Sequence, residues 1–185
     1  MRRFLFFSVI VLVLCAASVS AFDGNRKGFV LGGGLGFAPY VHSSASVSVF
    51  DGFSVSGDVD KSGVAIKLYL GYAWDEYNML VYEGNYAGVD EDNNSYIQGI
   101  DCAAWYHYFG EKGKTFYTIL GLGLYSADSD NSDRTDPGIG YMVGLGYEFA
   151  RHWQVDMQLT GGKSEDDYFD YGHTNLTLMV SGVAF

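Results

Sequence analysis

Large apolar side chains alternate with small or polar ones through most of this chain. The clearest stretch is Val64, Ile66, Leu68, Leu70, Tyr72 and Trp74, separated by Ala65, Lys67, Tyr69, Gly71 and Ala73. A period of two sorts residues onto the two faces of a strand, whereas a helix would scatter them. The same sorting recurs at Tyr141, Val143, Leu145, Tyr147 and Phe149, and at Trp153, Val155, Met157 and Leu159. Phe116, Leu120, Leu122 and Leu124 likewise share one face, with Gly121 and Gly123 behind them. The pattern predicts eight strands, over 28–40, 62–74, 77–88, 96–109, 115–126, 139–149, 153–163 and 173–185. Several exceed the usual length of soluble strands and suit tilted membrane crossings of about 9–11 residues.

The connections alternate too. Asp75-Glu76, Gly110 to Lys114 and Ala150 to His152 are short, while 41–61, 89–95, 127–138 and 164–172 are long and polar. Strict alternation of this kind matches short periplasmic turns and longer external loops. A β-sandwich has no reason to segregate loop length by end. Trp74, Tyr106, Tyr108, Tyr147, Phe149 and Trp153 cluster near the short turns, where an aromatic girdle would meet the membrane boundary.

The first residues require a separate reading. Arg2 and Arg3 precede an apolar run from Phe4 to Leu14, and small residues lead to Val19-Ser20-Ala21. That order predicts a cleaved secretory signal over 1–21, with the mature domain over 22–185. The bulky Leu14 before Cys15 argues against a lipoprotein. Cleavage removes Arg2 and Arg3, leaving nine basic against 22 acidic residues and a charge of −13. Such an acidic chain is a poor match for nucleic acid. Cys15 departs with the signal, so Cys102 has no partner within the chain and reads as a small hydrophobe. The 25 Gly, 15 Tyr and 13 Phe against two Pro favour strands. No cofactor or metal is expected.

These residues resemble those of the small OmpA/OmpX-type outer-membrane barrels. The likeness rests on the signal segment, the opening Gly28-Phe29-Val30-Leu31-Gly32-Gly33-Gly34-Leu35-Gly36, the hairpin Gly144 to Trp153 and the terminal Phe185. It implies an all-β, eight-stranded antiparallel up-and-down transmembrane barrel in a bacterial outer membrane, contacting membrane lipid and lipopolysaccharide. It also implies that Phe185 is an assembly signal, read through the last strand by the barrel-assembly machinery. Strand 8 departs from that signal's pattern. Val183 and Met179 share the parity of Phe185, but Leu176, Leu178 and Val180 oppose it; either a β-bulge near Ser181-Gly182 reconciles them or the strand faces the other way, and its facing is open at this point.

An eight-stranded barrel has a bore that side chains fill. With the large faces outward, Lys67, Tyr69, Glu83, Asp101, His107, Glu148, Asp156 and Gln158 are expected in the lumen. Buried charges must pair, and Lys67 with Glu83, together with Asp101, is the expected ion cluster. Glu148 and Asp156 form a carboxylate pair by type, without a cleft to serve. Gly172-His173-Thr174-Asn175 resembles the His-x-Ser-Asn stretch of lipid A deacylases, with Ser164 and Glu165 one loop away. Asp128 to Asp133 has acidic spacing but lacks the Gly and the bidentate Glu of a calcium loop. The segment 41–61 alternates Val47, Val49, Phe53 and Val55 with serines around Asp51-Gly52, predicting a hairpin beyond the membrane that could take a surface partner by strand addition.

The leading expectation is therefore a structural or surface-interaction barrel with a filled lumen. The alternatives are a narrow channel for small solutes or apolar molecules, a lipid A-modifying enzyme and a soluble ligand-binding barrel.

Overall fold

The alternation closes on itself. In the computed structural model, which describes residues 26–185 apart from 51–52, 92–93, 130–135 and 166–169, eight antiparallel strands form a closed barrel. The strands are β1 (Gly28–Phe50), β2 (Phe53–Ala73), β3 (Asn78–Glu91), β4 (Asn94–Tyr108), β5 (Thr115–Ser129), β6 (Asp136–Ala150), β7 (Trp153–Glu165) and β8 (Asp170–Ala184). Each pairs with its neighbour in sequence, and β1 also pairs with β8, from Leu31↔Ala184 to Ser46↔Asp170. The expected signal segment 1–21, the expected turn at Asp51-Gly52 and most of Asp128 to Asp133 lie outside the described residues.

The outer wall is apolar. Val64, Leu122 and Ile139 are 71%, 72% and 81% exposed, with Ile66, Leu68, Leu70, Leu120, Leu124 and Leu145 beside them. A belt of this extent is untenable in water and costs nothing in hydrocarbon. Both prolines sit where pairing breaks. β1 shifts register between Ala38 and Val41, around Pro39, and β6 shifts between Pro137 and Gly140. Proline has no N–H to give the ladder, so it is tolerated at a bulge and nowhere deeper in a sheet.

The short turns are built locally. Asp75 accepts the Tyr77 N–H at 2.7 Å and the Asn78 amide at 3.0 Å, closing the β2–β3 turn. Desolvation pushes its pKa up, but those donated hydrogens outweigh it and hold the Asp75 carboxyl below its ordinary value. The β4–β5 turn needs Gly113, whose φ of +86° is a left-handed conformation, and its N–H bonds Glu148.

Strand 8 resolves in favour of its even-numbered residues. Leu178 and Val180 face outward, while Met179, Ser181, Val183 and Phe185 are buried. The β7–β8 register runs unbroken from Trp153↔Gly182 to Glu165↔Asp170, so no bulge near Ser181-Gly182 reconciles the two faces. Phe185 turns inward beside His152, ring centroids 6.4 Å apart. The His152 carbonyl accepts the Val183 N–H at 3.0 Å, and its ring Nδ1 lies 2.9 Å from the Val183 carbonyl.

Inward-facing glycines make room for rings. A Cβ at Gly146 would stand 2.1 Å from Cζ of Tyr117, and Gly32 meets Tyr69 in the same way. The Tyr117 ring cannot swing aside freely, because its hydroxyl donates to Asp156 at 3.0 Å. Gly146→Val should cost about 1–3 kcal/mol by overpacking. A lower folded fraction on a heat-modifiability gel checks this, and an unchanged fraction would show that the ring relocates freely.

Candidate functional site in the lumen and at its mouth

A buried polar side chain is costly without a hydrogen-bond partner. The lumen supplies most of these partners in tiers. At the periplasmic end Arg26, buried and just ahead of β1, pairs with Glu148 at 3.1 Å. Its guanidinium lies 4.0 Å over the Tyr108 ring and donates to the Glu76 carbonyl at 2.7 Å. Arg26 was not among the sequence candidates. Its signal was the shortage of cations to match a lumen holding several acids.

In the middle tier Lys67 on β2 reaches Asp156 on β7 at 2.6 Å, both buried. Asp156 also accepts from Tyr117 at 3.0 Å and from the Gln158 amide at 3.0 Å. Glu83 takes the Tyr106 hydroxyl. The expected Lys67–Glu83 ion pair therefore gives way to Lys67–Asp156. Register explains it: Tyr69 lies opposite Glu83, and Lys67 lies opposite Asn85. Glu148 and Asp156 do not form a carboxylate pair, since each takes its own cation. Above them Asn85 bonds Gln158, Gln98 bonds Asn175, and Asn175 donates to the Tyr125 hydroxyl at 2.7 Å. Those first two bonds join opposite staves, β3 to β7 and β4 to β8.

Strand β4 reverses several expectations. Tyr82↔Ala103 and Leu80↔Trp105 place its odd-numbered residues on the outer face. Asp101 and His107 are thus outside the lumen, while Tyr106 and Tyr108, expected in the girdle, are buried within it. Asp101 is clamped by the Tyr86 hydroxyl on the outer wall. His107 lies 2.9 Å from the Asn78 side-chain oxygen and packs edge-on against Phe109 at 5.0 Å. Inside, Tyr69, Tyr106, Tyr117 and Tyr108 form a chain of rings 4.9–5.7 Å apart. Cys102 is buried on the same inner face.

Of the residues expected in the girdle, Trp74, Phe149 and Trp153 are exposed near the short turns, and Tyr147 packs on Phe116 at 4.8 Å. Trp105, whose indole donates to Asn78 at 3.1 Å, and Tyr77 are exposed at the same end. The odd parity of β4 could have revealed Trp105.

At the outer mouth, Ser164 Oγ lies 2.7 Å from Nε2 of His173, and Nδ1 of that ring lies 2.9 Å from Gln98 Oε1. The Gln98 amide nitrogen donates to Asn175 and to the His42 carbonyl, so its oxygen is an acceptor. The His173 Nδ1 therefore carries the hydrogen, and Nε2 accepts the Ser164 hydroxyl. This order of bonds is that of an activated serine, but Ser164 and His173 are buried and the third group is an amide. On the outer surface His42 pairs with Asp60 at 2.6 Å and stacks on Tyr40. Among the described residues no cluster of His, Cys, Asp and Glu is placed to hold a metal.

Removing one member of the central pair should expose its cost. Lys67→Met leaves Asp156 buried without its cation and should destabilise the barrel by about 3–5 kcal/mol. Lys67→Met combined with Asp156→Leu should recover most of that loss. Urea unfolding in lipid vesicles, followed by tryptophan fluorescence, checks both; equal losses in the single and double variants would refute the pairing.

A family model for the outer membrane protein beta-barrel domain matches residues 8–182. Among curated proteins none matches the sequence. Among solved structures the chain is similar to neisserial surface protein A, at 14% identity over 84% of this chain and 97% of that one, with a TM-score of 0.52. It is similar to OprG of Pseudomonas aeruginosa at 14% identity over 88% and 98%, with a TM-score of 0.50. The N-terminal barrel domain of OprF from the same organism matches at 16% identity over 85% and 98%, with a TM-score of 0.49. With an apolar belt outside, a buried polar lumen inside and a model match across nearly its whole length, the chain belongs to the outer-membrane β-barrel family.

Proposed function

We propose that this chain is a membrane-anchored surface protein whose barrel is a sealed post and whose external end makes contacts. The observation that carries this is the bracing of the bore between opposite staves, by Asn85 to Gln158 and by Gln98 to Asn175. Lys67–Asp156 and Arg26–Glu148 fill the levels below. A conduit needs a continuous water column, and side chains bonded across the bore at successive heights interrupt it. The β1–β2 hairpin extends outward, with pairing continuing to Phe50↔Phe53. Lipid and lipopolysaccharide surround the belt, and assembly proceeds through the last strand.

In planar bilayers the folded chain should give no discrete conductance steps. Reproducible, ion-selective steps from the unaltered protein would replace the surface role with a channel.

One observation favours a second reading, acyl-ester hydrolysis: the Ser164–His173 contact at 2.7 Å. Against it stand the burial of both residues and the absence, among the described residues, of a carboxylate on His173. Under the surface reading a fluorophosphonate leaves Ser164 unmodified by intact mass. An adduct that disappears in Ser164→Ala would establish the hydrolase instead.

A further inference from the structure

One carboxylate faces the lipid. Asp101 on β4 lies in a row of outward residues fixed by the strand registers, Leu68↔Gly84, Gly84↔Asp101 and Asp101↔Leu124. Leu68 and Leu124 in that row are 66% and 56% exposed. Along β4, Trp105 lies four residues toward the periplasmic end and Ile97 four residues toward the outside, both exposed. At roughly 3.3 Å per residue, Asp101 stands about 13 Å along the strand from either, in the middle of the belt. An ionisable side chain at that depth is costly, and it calls for a partner.

The partners it has within the chain carry no positive charge. The Tyr86 hydroxyl donates to Asp101 Oδ2, and the Tyr82 hydroxyl bonds the same carboxylate. β3, β4 and β5 contain neither lysine nor arginine, and Lys67 on β2 turns inward to Asp156. The wall beside Asp101 is concave. Gly84 leaves a floor between Tyr82 and Tyr86, where a Cβ would stand 3.0 Å from the Tyr86 ring and 3.1 Å from Asp101 Oδ1. The groove runs from Asp101 across Gly84 and Leu68 to Leu31 on β1, with a volume of about 620 Å³. Sites for small molecules fall at about 300–1,000 Å³. Its lipid-facing walls are leucine, isoleucine and tyrosine, with the carboxylate at one end.

We infer that this groove binds a membrane-dissolved amphiphile bearing one amine, its ammonium on Asp101 and its alkyl chain along Gly84 and Leu68. Two hydroxyls solvate the carboxylate but leave its charge unanswered. Folding has already taken that carboxylate out of water, so an incoming ammonium meets low-dielectric attraction with half of the desolvation done. A second copy of the chain would bring another Asp101 to this face instead of a cation. The groove lies on the outer wall, so the inference depends neither on the sealed bore nor on the surface role proposed above.

The test titrates dodecylamine at neutral pH into the full chain folded in zwitterionic micelles, with 1-dodecanol as the uncharged control, and follows backbone amide NMR shifts. Expected are saturable shifts centred on Leu68, Gly84 and Asp101, with dodecylamine bound at least tenfold tighter than 1-dodecanol. Asp101→Asn keeps the side chain's size and should weaken dodecylamine at least tenfold, to the level of the alcohol. Gly84→Leu fills the floor with Asp101 intact and should abolish the binding of both. Heat-modifiable mobility checks that each variant is folded. Equal binding of amine and alcohol to the unaltered chain would overturn the inference. So would shifts that spread over the belt without saturating, or an affinity that Asp101→Asn leaves unchanged.

Discussion

In hydrocarbon every backbone N–H and C=O needs a partner within the protein, because lipid offers none. That constraint forces β1 to meet β8, and it decides much of what else the chain does. A closed sheet has two faces and no third place for a side chain, so the period of two becomes a division between oil and lumen. Prolines are confined to the two positions where the ladder already shifts, Pro39 and Pro137. The narrowness of an eight-stranded bore then requires glycine beneath the large rings, as Gly146 lies beneath Tyr117.

Closure also isolates the lumen. Side chains that would be solvated on a soluble protein become a finite set that has to balance within itself. Glu83, Glu148 and Asp156 are buried with Arg26 and Lys67. Each cation meets one acid, and tyrosine hydroxyls take part of the remaining demand. The ring chain from Tyr69 to Tyr108 fits the same logic, since a phenol fills volume and still carries a donor. The resulting network ties strands that are far apart in sequence, so tightly packed polar groups specify the arrangement that apolar packing specifies in a soluble core.

The fold was legible because that division leaves a trace in one dimension. The stripe from Val64 to Trp74 and the alternation of loop lengths sufficed for eight strands and their order. The lumen was less legible. Whether a strand's odd or even residues face inward is set by its neighbour's register, not by its own polarity. On β4 both faces carry aromatic and polar residues, so Asp101, His107, Tyr106 and Tyr108 were each placed on the wrong side. Ion pairing failed for a related reason: the partner of Lys67 lies across the bore on β7, and spacing along adjacent strands cannot report that. Arg26 precedes the first strand, where no alternation marks it.

Above the membrane the constraint lapses, because water can satisfy an unpaired backbone. Strands need no longer close, and the glycine contact between Gly63 and Gly88 marks where they stop doing so. The closed transmembrane sheet has no free edge, whereas backbone outside the hydrocarbon is under no such demand. Acidic residues concentrate there because in this chain they have nowhere else to go in number. The belt carries almost no charge, Asp101 being held there by the Tyr86 hydroxyl, and the lumen buries Glu83, Glu148 and Asp156 against two cations. A mouth rich in carboxylates is the remainder of a chain whose buried surfaces are already committed.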